Sequence, residues 1–193
     1  CLNLAVSLAA AGRKTIVLEL DLRKPKILQQ LNLESGHPGI TEYLSSDCAI
    51  DEIIRPSGVL RGLDVIGSGY IAPNPSELLE KDRLHELISN LRTRYDDILI
   101  DSPPLHLVTD AMIISRLADV TLYIIKQGHT GKVELDFIED VNSSGKINNM
   151  HIIFNGIKKE KYGYGYKYDD SYYSHGAKSA SFALNLKSFA NRF

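Results

Sequence analysis

The sequence predicts an α/β protein in which a parallel β-sheet is covered by helices on both faces. Three observations carry that expectation. Short aliphatic runs alternate along the chain with segments of helical periodicity, the order that βαβ units produce. The runs are apolar throughout rather than at every second residue, as in strands buried on both sides. Two of them, Thr15-Ile16-Val17-Leu18-Glu19-Leu20-Asp21 and Ile98-Leu99-Ile100-Asp101, end on carboxylates, at the strand end where open α/β sheets bind ligands.

In chain order, Leu2, Leu4, Ala5, Leu8 and Ala9 recur with helical spacing, and Gly12 follows as a helix stop. The first acidic strand comes next, and Arg23, Lys24 and Pro25 close it. A short amphipathic helix is expected within 26–33, a loop over Ser35-Gly36-His37-Pro38-Gly39, and another short helix from Thr41 and Glu42. Ile53 and Ile54 precede a break at Pro56-Ser57-Gly58, and 63–67 reads as a strand. Asn74, Pro75 and Glu77 form a helix start of the capping-box kind. The apolar stripe of Leu78, Leu84, Leu87, Ile88 and Leu91 continues to about Tyr95, with a break expected near Lys81-Asp82. The second acidic strand is stopped by Pro103-Pro104, which forbid further ladder pairing. A helix over 109–118, a strand over 120–126, a helix that Thr130 caps and a last strand over 150–157 complete the pattern, with right-handed crossovers.

Composition shifts at Lys158. Six of the ten tyrosines, Tyr162, Tyr164, Tyr166, Tyr168, Tyr172 and Tyr173, follow among glycines and charges with no aliphatic residue between them. The expected organisation is therefore an ordered domain over 1–157 and a flexible tyrosine-rich tail over 158–193. Phe182, Leu186, Phe189 and Phe193 fall at helical spacing, which suits a docking element better than a coil.

The 193 residues are 44% hydrophobic and 24% charged, ordinary globular values, and the formal charge of −2 argues against a broadly basic nucleic-acid binder. Cys1 and Cys48 form neither a disulfide framework nor a metal-ligand spacing, so a reducing compartment is the default. No apolar run reaches the roughly 18 residues of a membrane span. A chain that starts at Cys1 inside a helix is expected to be a fragment, so that absence says little about the parent protein.

Two acidic strand ends at one sheet edge point to metal-assisted phosphoryl transfer, because magnesium takes hard oxygen ligands, commonly one or two carboxylates with phosphate oxygens and water. Asp101 suits the metal. A second carboxylate can accept the proton of an attacking hydroxyl, with Asp21 the first candidate and Glu19 the second. Arg23 either neutralises phosphate charge or holds the acids in place, and the residues leave both open. The plainer readings are a solvated aspartate that ends a strand and a surface ion pair.

Residues 16–25 resemble the second acidic (Walker A′) motif of the bacterial tyrosine autokinases that control capsular and exopolysaccharide export. Residues 98–104 resemble their Walker B motif, and Pro73-Asn74-Pro75-Ser76-Glu77-Leu78-Leu79 is similar to a further block of that family. The helix at Asn3-Leu4-Ala5 resembles the one after the family's phosphate loop, and the tyrosine cluster resembles its autophosphorylation tail. The resemblance implies a P-loop NTPase-like fold, ATP and Mg2+, and transfer of the γ-phosphoryl group to tail tyrosines of a neighbouring subunit. Asp101 would serve the metal, Glu19 and Asp21 would face the nucleophile, and Asn155 would contact adenine, where Asn155-Gly156 alone reads as a turn. It also implies a ring-like homo-oligomer, a membrane-embedded co-polymerase or activator segment, a cognate tyrosine phosphatase, no nucleic acid, and a place at the cytoplasmic face of the bacterial inner membrane.

Two departures qualify the match. No G-x-x-x-x-G-K-[ST] loop occurs in the 193 residues, so the chain is expected to be truncated before the first strand and phosphate loop, and by itself to bind ATP poorly and not catalyse. Glu19 stands where the family usually has Asp, and displacements near 1 Å weaken catalysis severely. A Min- or Par-type partition ATPase, which shares the acidic motifs, is the alternative, although it has no need of the tyrosine tail. A catalytically inactive scaffold for a membrane partner is the third reading.

Overall fold

Helices and strands alternate from the first residue in the computed structural model, which describes residues 1–34, 36–105, 109–147 and 149–157. Their order is α1 (Leu2–Ala10), β1 (Thr15–Glu19), α2 (Ile27–Gln30), α3 (Ile40–Ser45), α4 (Ile50–Ile53), β2 (Arg55–Pro56) and β3 (Leu63–Ile66). There follow α5 (Pro75–Leu79), α6 (Asp82–Arg92), β4 (Asp97–Asp101), α7 (Asp110–Ser115), β5 (Thr121–Lys126), α8 (Lys132–Ser143) and β6 (Met150–Asn155). The tyrosine cluster and the segment with Phe182, Leu186, Phe189 and Phe193 lie outside the described residues. No described helix is long and apolar enough to cross a membrane.

All five residues of β1 are buried, which is what a run of five without a solvent face demands. β3 and β4 pair with β1 in parallel, one on each side, and β2 pairs with β3 antiparallel, giving the order β2-β3-β1-β4. Side-chain alternation along these strands makes two layers. Ile16, Leu18, Ile66, Ile98 and Ile100 face a core with Tyr43 and Leu44 of α3, Leu78 and Leu79 of α5, Leu84, Leu87, Ile88 and Leu91 of α6 and Ile114 of α7. Val17, Leu63, Val65 and Leu99 face the opposite way, against Leu2, Ala5, Val6 and Ala9 of α1 and Ile27 of α2. Helices therefore cover both faces of the four-stranded sheet, as expected.

Leu87 has no exposure and sits in the larger core. Leu87→Ala should cost about 2–5 kcal/mol through lost burial and the cavity left behind. The measurement is the urea midpoint, which should fall at unchanged slope.

Several expectations need correcting. Pro56 does not open a break: with Arg55 it forms β2, an antiparallel edge, where a proline is tolerated because no donor is required of it. β4 is half-buried rather than buried on both sides, because among the described residues it pairs only with β1. β5 and β6 form a separate parallel pair. One face of that pair packs Tyr123 and Met150 near Phe137 and Val141 of α8. The other leaves Leu122, Ile124 and Ile153 at 44%, 55% and 41% exposure, so 120–126 is apolar without being buried.

The capping box at α5 does not form, since the Asn74 amide donates to the Glu77 carboxylate at 2.6 Å instead of the asparagine oxygen taking a backbone N–H. Thr130 does not cap α8 either. Its hydroxyl accepts the Lys126 N–H at 2.9 Å, and Gly131 takes the cap position. The helix break at Lys81-Asp82 and the stop at Gly12, whose φ of +83° suits glycine, stand as read.

Candidate functional site

The register of β1 and β4 sets Glu19 opposite Asp101, so two adjacent parallel strands bring acids to one sheet edge. Leu20 donates its N–H to the Asp101 carbonyl at 2.8 Å, which carries the pairing one residue further. Leu20 and Leu22 are both buried and pin Asp21 between them at the rim. Asp21 Oδ1 then accepts the N–H groups of Arg23 at 3.2 Å and Lys24 at 3.0 Å, an Asx-type turn that shapes the loop.

At this edge lies an open cleft of about 410 Å³, lined by Asp21, Asp101, Lys24 and Lys26, with Cys1 and Leu2 of α1 at its wall. The first turn of α1 therefore borders the two carboxylates, and a helix N-terminus favours anions there. Burial pushes the Asp101 carboxyl above the usual range, and the nearby Asp21 charge adds to the rise. Asp101 lines the cleft, and the positive amino group of Cys1, at the cleft wall, opposes part of the rise in its pKa. A second hollow of about 290 Å³, between Gly36-His37 and Gly69-Tyr70-Ile71, holds no carboxylate.

Glu19 sits differently from its expected place. It is 1% exposed and does not line the cleft. Oε1 accepts the N–H groups of Lys26 and Ile27, and Oε2 that of Ser68 at 3.2 Å. The extra methylene turns the carboxylate inward, where it ties the start of α2 and the end of β3 to β1. Burial raises its pKa, and the three backbone hydrogen bonds offset only part of that rise. The carboxylate is thus engaged by backbone amides and stands outside the cleft lining, whereas the resemblance expects it to face the nucleophile.

Arg23 is also outside the cleft lining. Of its two open roles the geometry favours holding, since the guanidinium pairs with Asp110 through Nε at 2.8 Å and with Ser76 Oγ through Nη2 at 3.0 Å. Asn155 ends β6, is exposed, and accepts the N–H of Gly156 at 2.8 Å on its own Oδ1, the local turn that the dipeptide alone suggests. It does not line the cleft. Lys24 and Lys26 do, although sequence reading gave them no role. Their only signal was a basic flank to an acidic strand end. Asp110 falls inside the helix expected over 109–118, and no sequence pattern brings it to Arg23.

Among the described residues no group of three or more His, Cys, Asp and Glu side chains forms a metal cage. Two carboxylates beside two lysines instead suit a hard cation that arrives with phosphate oxygens, which is how magnesium is usually held. The donor set of Asp101 and Asp21 fits that group.

A family model described as an AAA domain matches residues 1–150. Tyrosine-protein kinase YwqD of Bacillus subtilis is 34% identical over 165 residues, 85% of this chain and 69% of that protein. The chain belongs to the bacterial tyrosine-protein kinase family. Tyrosine-protein kinase ptk of Acinetobacter johnsonii is 33% identical over 84% of this chain, which spans only 22% of that longer protein. The solved kinase domain of Escherichia coli tyrosine kinase ETK superposes with a TM-score of 0.75 at 29% identity, over 86% of this chain and 65% of that one. MinD of Pyrococcus horikoshii, complexed with Mg-ADP, superposes with a TM-score of 0.64 at 20% identity, over 79% of this chain and 61% of that one. That likeness shows a shared P-loop NTPase fold, and the partition-ATPase alternative has support from fold alone.

Proposed function

We propose that these residues form the larger part of an ATP-dependent protein-tyrosine kinase site, acting with a phosphate loop that the 193 residues do not contain. The observation that carries the reading is the meeting of Asp21 and Asp101 in one cleft, beside two lysines and the first turn of α1, in a chain of this family. In the proposed mechanism Asp101 would hold Mg2+, whose bound charge would neutralise that of the phosphate oxygens. Asp21 orients the tyrosine hydroxyl and takes its proton. Lys24 and Lys26 balance phosphate charge at the rim, Glu19 fixes the strand ends, and Asn155 contacts the base.

The acceptors are Tyr162, Tyr164, Tyr166, Tyr168, Tyr172 and Tyr173 of a neighbouring copy, in a tail over 158–193 that follows a nucleotide-binding domain over 1–157. The setting is the control of capsule or exopolysaccharide export at the cytoplasmic face of the inner membrane, with a membrane-embedded co-polymerase or activator and a tyrosine phosphatase as partners. A putative tyrosine-protein kinase in the cps region of Klebsiella pneumoniae, 36% identical over 165 residues, supports the capsule part of that setting.

The test uses a protein in which these residues follow a G-x-x-x-x-G-K-[ST] loop. Incubation with Mg-ATP and peptide mapping should find phosphate on those tyrosines, and the six Tyr→Phe changes together should remove it. Release of inorganic phosphate without any phosphotyrosine would favour the partition ATPase instead. The 193 residues alone should bind ATP much more weakly, because the backbone cradle for the β- and γ-phosphates is missing.

Phosphorylation should also act on assembly. Each phosphate adds about −1.5 to −2 charges at neutral pH, so a fully modified tail gains on the order of −10. That charge opposes entry into an acid-lined cleft, and phosphorylated protein should run as a smaller species than phosphatase-treated protein on sizing. An unchanged size contradicts the proposal.

A further inference from the structure

Asp110 is a buried carboxylate that the proposed chemistry does not use. It is 1% exposed at the start of α7, and two side chains converge on it. Arg23 donates through Nε to Oδ2 at 2.8 Å and through Nη2 to Oδ1 at 3.3 Å, and Ser76 donates its hydroxyl to Oδ1 at 2.6 Å. Arg23 Nη2 also donates to Ser76 Oγ at 3.0 Å, which closes a ring of three side chains. Three segments distant in sequence therefore meet at one point: the loop after β1, the start of α5 and the start of α7. A carboxylate at the first turn of a helix is also favoured by the helix dipole.

The loop is the part that matters for the cleft. Arg23 is two residues from Asp21, and its own N–H is bonded to Asp21 Oδ1. One residue thus grips Asp21 by its backbone and Asp110 by its guanidinium. A forked guanidinium on a carboxylate fixes orientation as well as distance, which a lysine cannot do.

We propose that Asp110 is a positioning residue for Asp21: through Arg23 it sets the loop that delivers Asp21 and Lys24 to the cleft, and through Ser76 it ties that loop to α5. The reaction half of this inference rests on the kinase reading above; the structural half does not. A displacement of a reacting group by about 1 Å is enough to slow chemistry by on the order of 10²-fold without touching ground-state binding.

Asp110→Asn keeps the size and an acceptor for Ser76 but removes the charge that holds Arg23. Arg23→Lys, on a side chain that is 40% exposed, serves as a second variant that leaves the buried core untouched. Amide hydrogen exchange on the 193-residue chain should quicken at least about tenfold at Arg23 and Lys24 in Asp110→Asn, and by less in Arg23→Lys, while Val17 and Leu18 in β1 keep their rates. In the protein with its phosphate loop, kcat should fall at least about tenfold with KM for ATP nearly unchanged, the split expected for an interaction made in the transition state. Exchange that rises equally in β1 and the loop, or does not rise in either variant, overturns the proposal, as does an unchanged kcat with a loosened loop. Loosened exchange in a protein whose wild type phosphorylates no tyrosine leaves the Asp110 latch in place and refutes the kinase reading instead.

Discussion

Asp101→Asn is expected to lower tyrosine phosphorylation by on the order of 10²–10³-fold and, at neutral pH, to raise the thermal midpoint of the fold. The two effects share one cause. The Asp101 carboxylate is pushed by burial above its ordinary pKa, with the Asp21 charge adding to the rise, and the amino group of Cys1 offsets only part of it. A carboxyl group whose folded pKa is raised binds protons more readily in the folded than in the unfolded state. Ionising it therefore costs stability as pH climbs from the ordinary carboxylate value through the folded one. At neutral pH the aspartate pays that cost in full and an asparagine does not. Below the ordinary carboxylate range both states are protonated, and the advantage of the variant should vanish. Thermal melts of both proteins at neutral and at low pH, alongside phosphotyrosine yield, check the pair of effects. Loss of activity with a lowered midpoint at neutral pH would mean that Asp101 holds the fold together rather than the metal.

Glu19→Ala should act in the opposite sense, costing about 3–5 kcal/mol of stability, because three backbone N–H groups lose their acceptor at once. Relief of the buried charge offsets part of that loss, which keeps the figure below the sum of three unsatisfied donors. Glu19→Asp is the more informative change. It installs the aspartate that the Walker A′ resemblance leads one to expect but withdraws the carboxylate by one methylene from amides at positions 26, 27 and 68. It should therefore cost about 1–3 kcal/mol here. Urea midpoints of the two variants measure this directly. If Glu19→Asp is neutral in stability and cuts phosphorylation sharply, Glu19 belongs to the chemistry after all.

Much of this architecture was legible because burial writes itself into the sequence. Ile16 to Leu20 and Ile98 to Ile100 leave no polar alternation for a solvent face, so parallel strands followed. Their terminal acids named the sheet edge before any coordinate did. What stayed hidden depended on partners distant in sequence. Nothing near Arg55-Pro56 signals an edge strand, because two residues carry no period. Asp110 carries no sequence signal beyond its place in an expected helix, and its partners Arg23 and Ser76 lie 87 and 34 residues away. The partners of Glu19 are hidden for a related reason: a strand's alternation tells which face a side chain leaves from, not where a flexible glutamate turns. The exposed Leu122, Ile124 and Ile153 show the limit of composition, since an apolar run states what is able to be buried and not what covers it.

The cleft between β1 and β4 is the centre of this account, and one comparison tests it most directly. Wild type, Asp21→Asn and Asp101→Asn, each carried behind a phosphate loop and each shown to be folded, are incubated with Mg-ATP and mapped for phosphotyrosine. The account predicts phosphate on the tail tyrosines of the wild type, dependent on Mg2+, and a fall on the order of 10²-fold or more in both variants. Folded variants that label their tyrosines as fast as the wild type would contradict it.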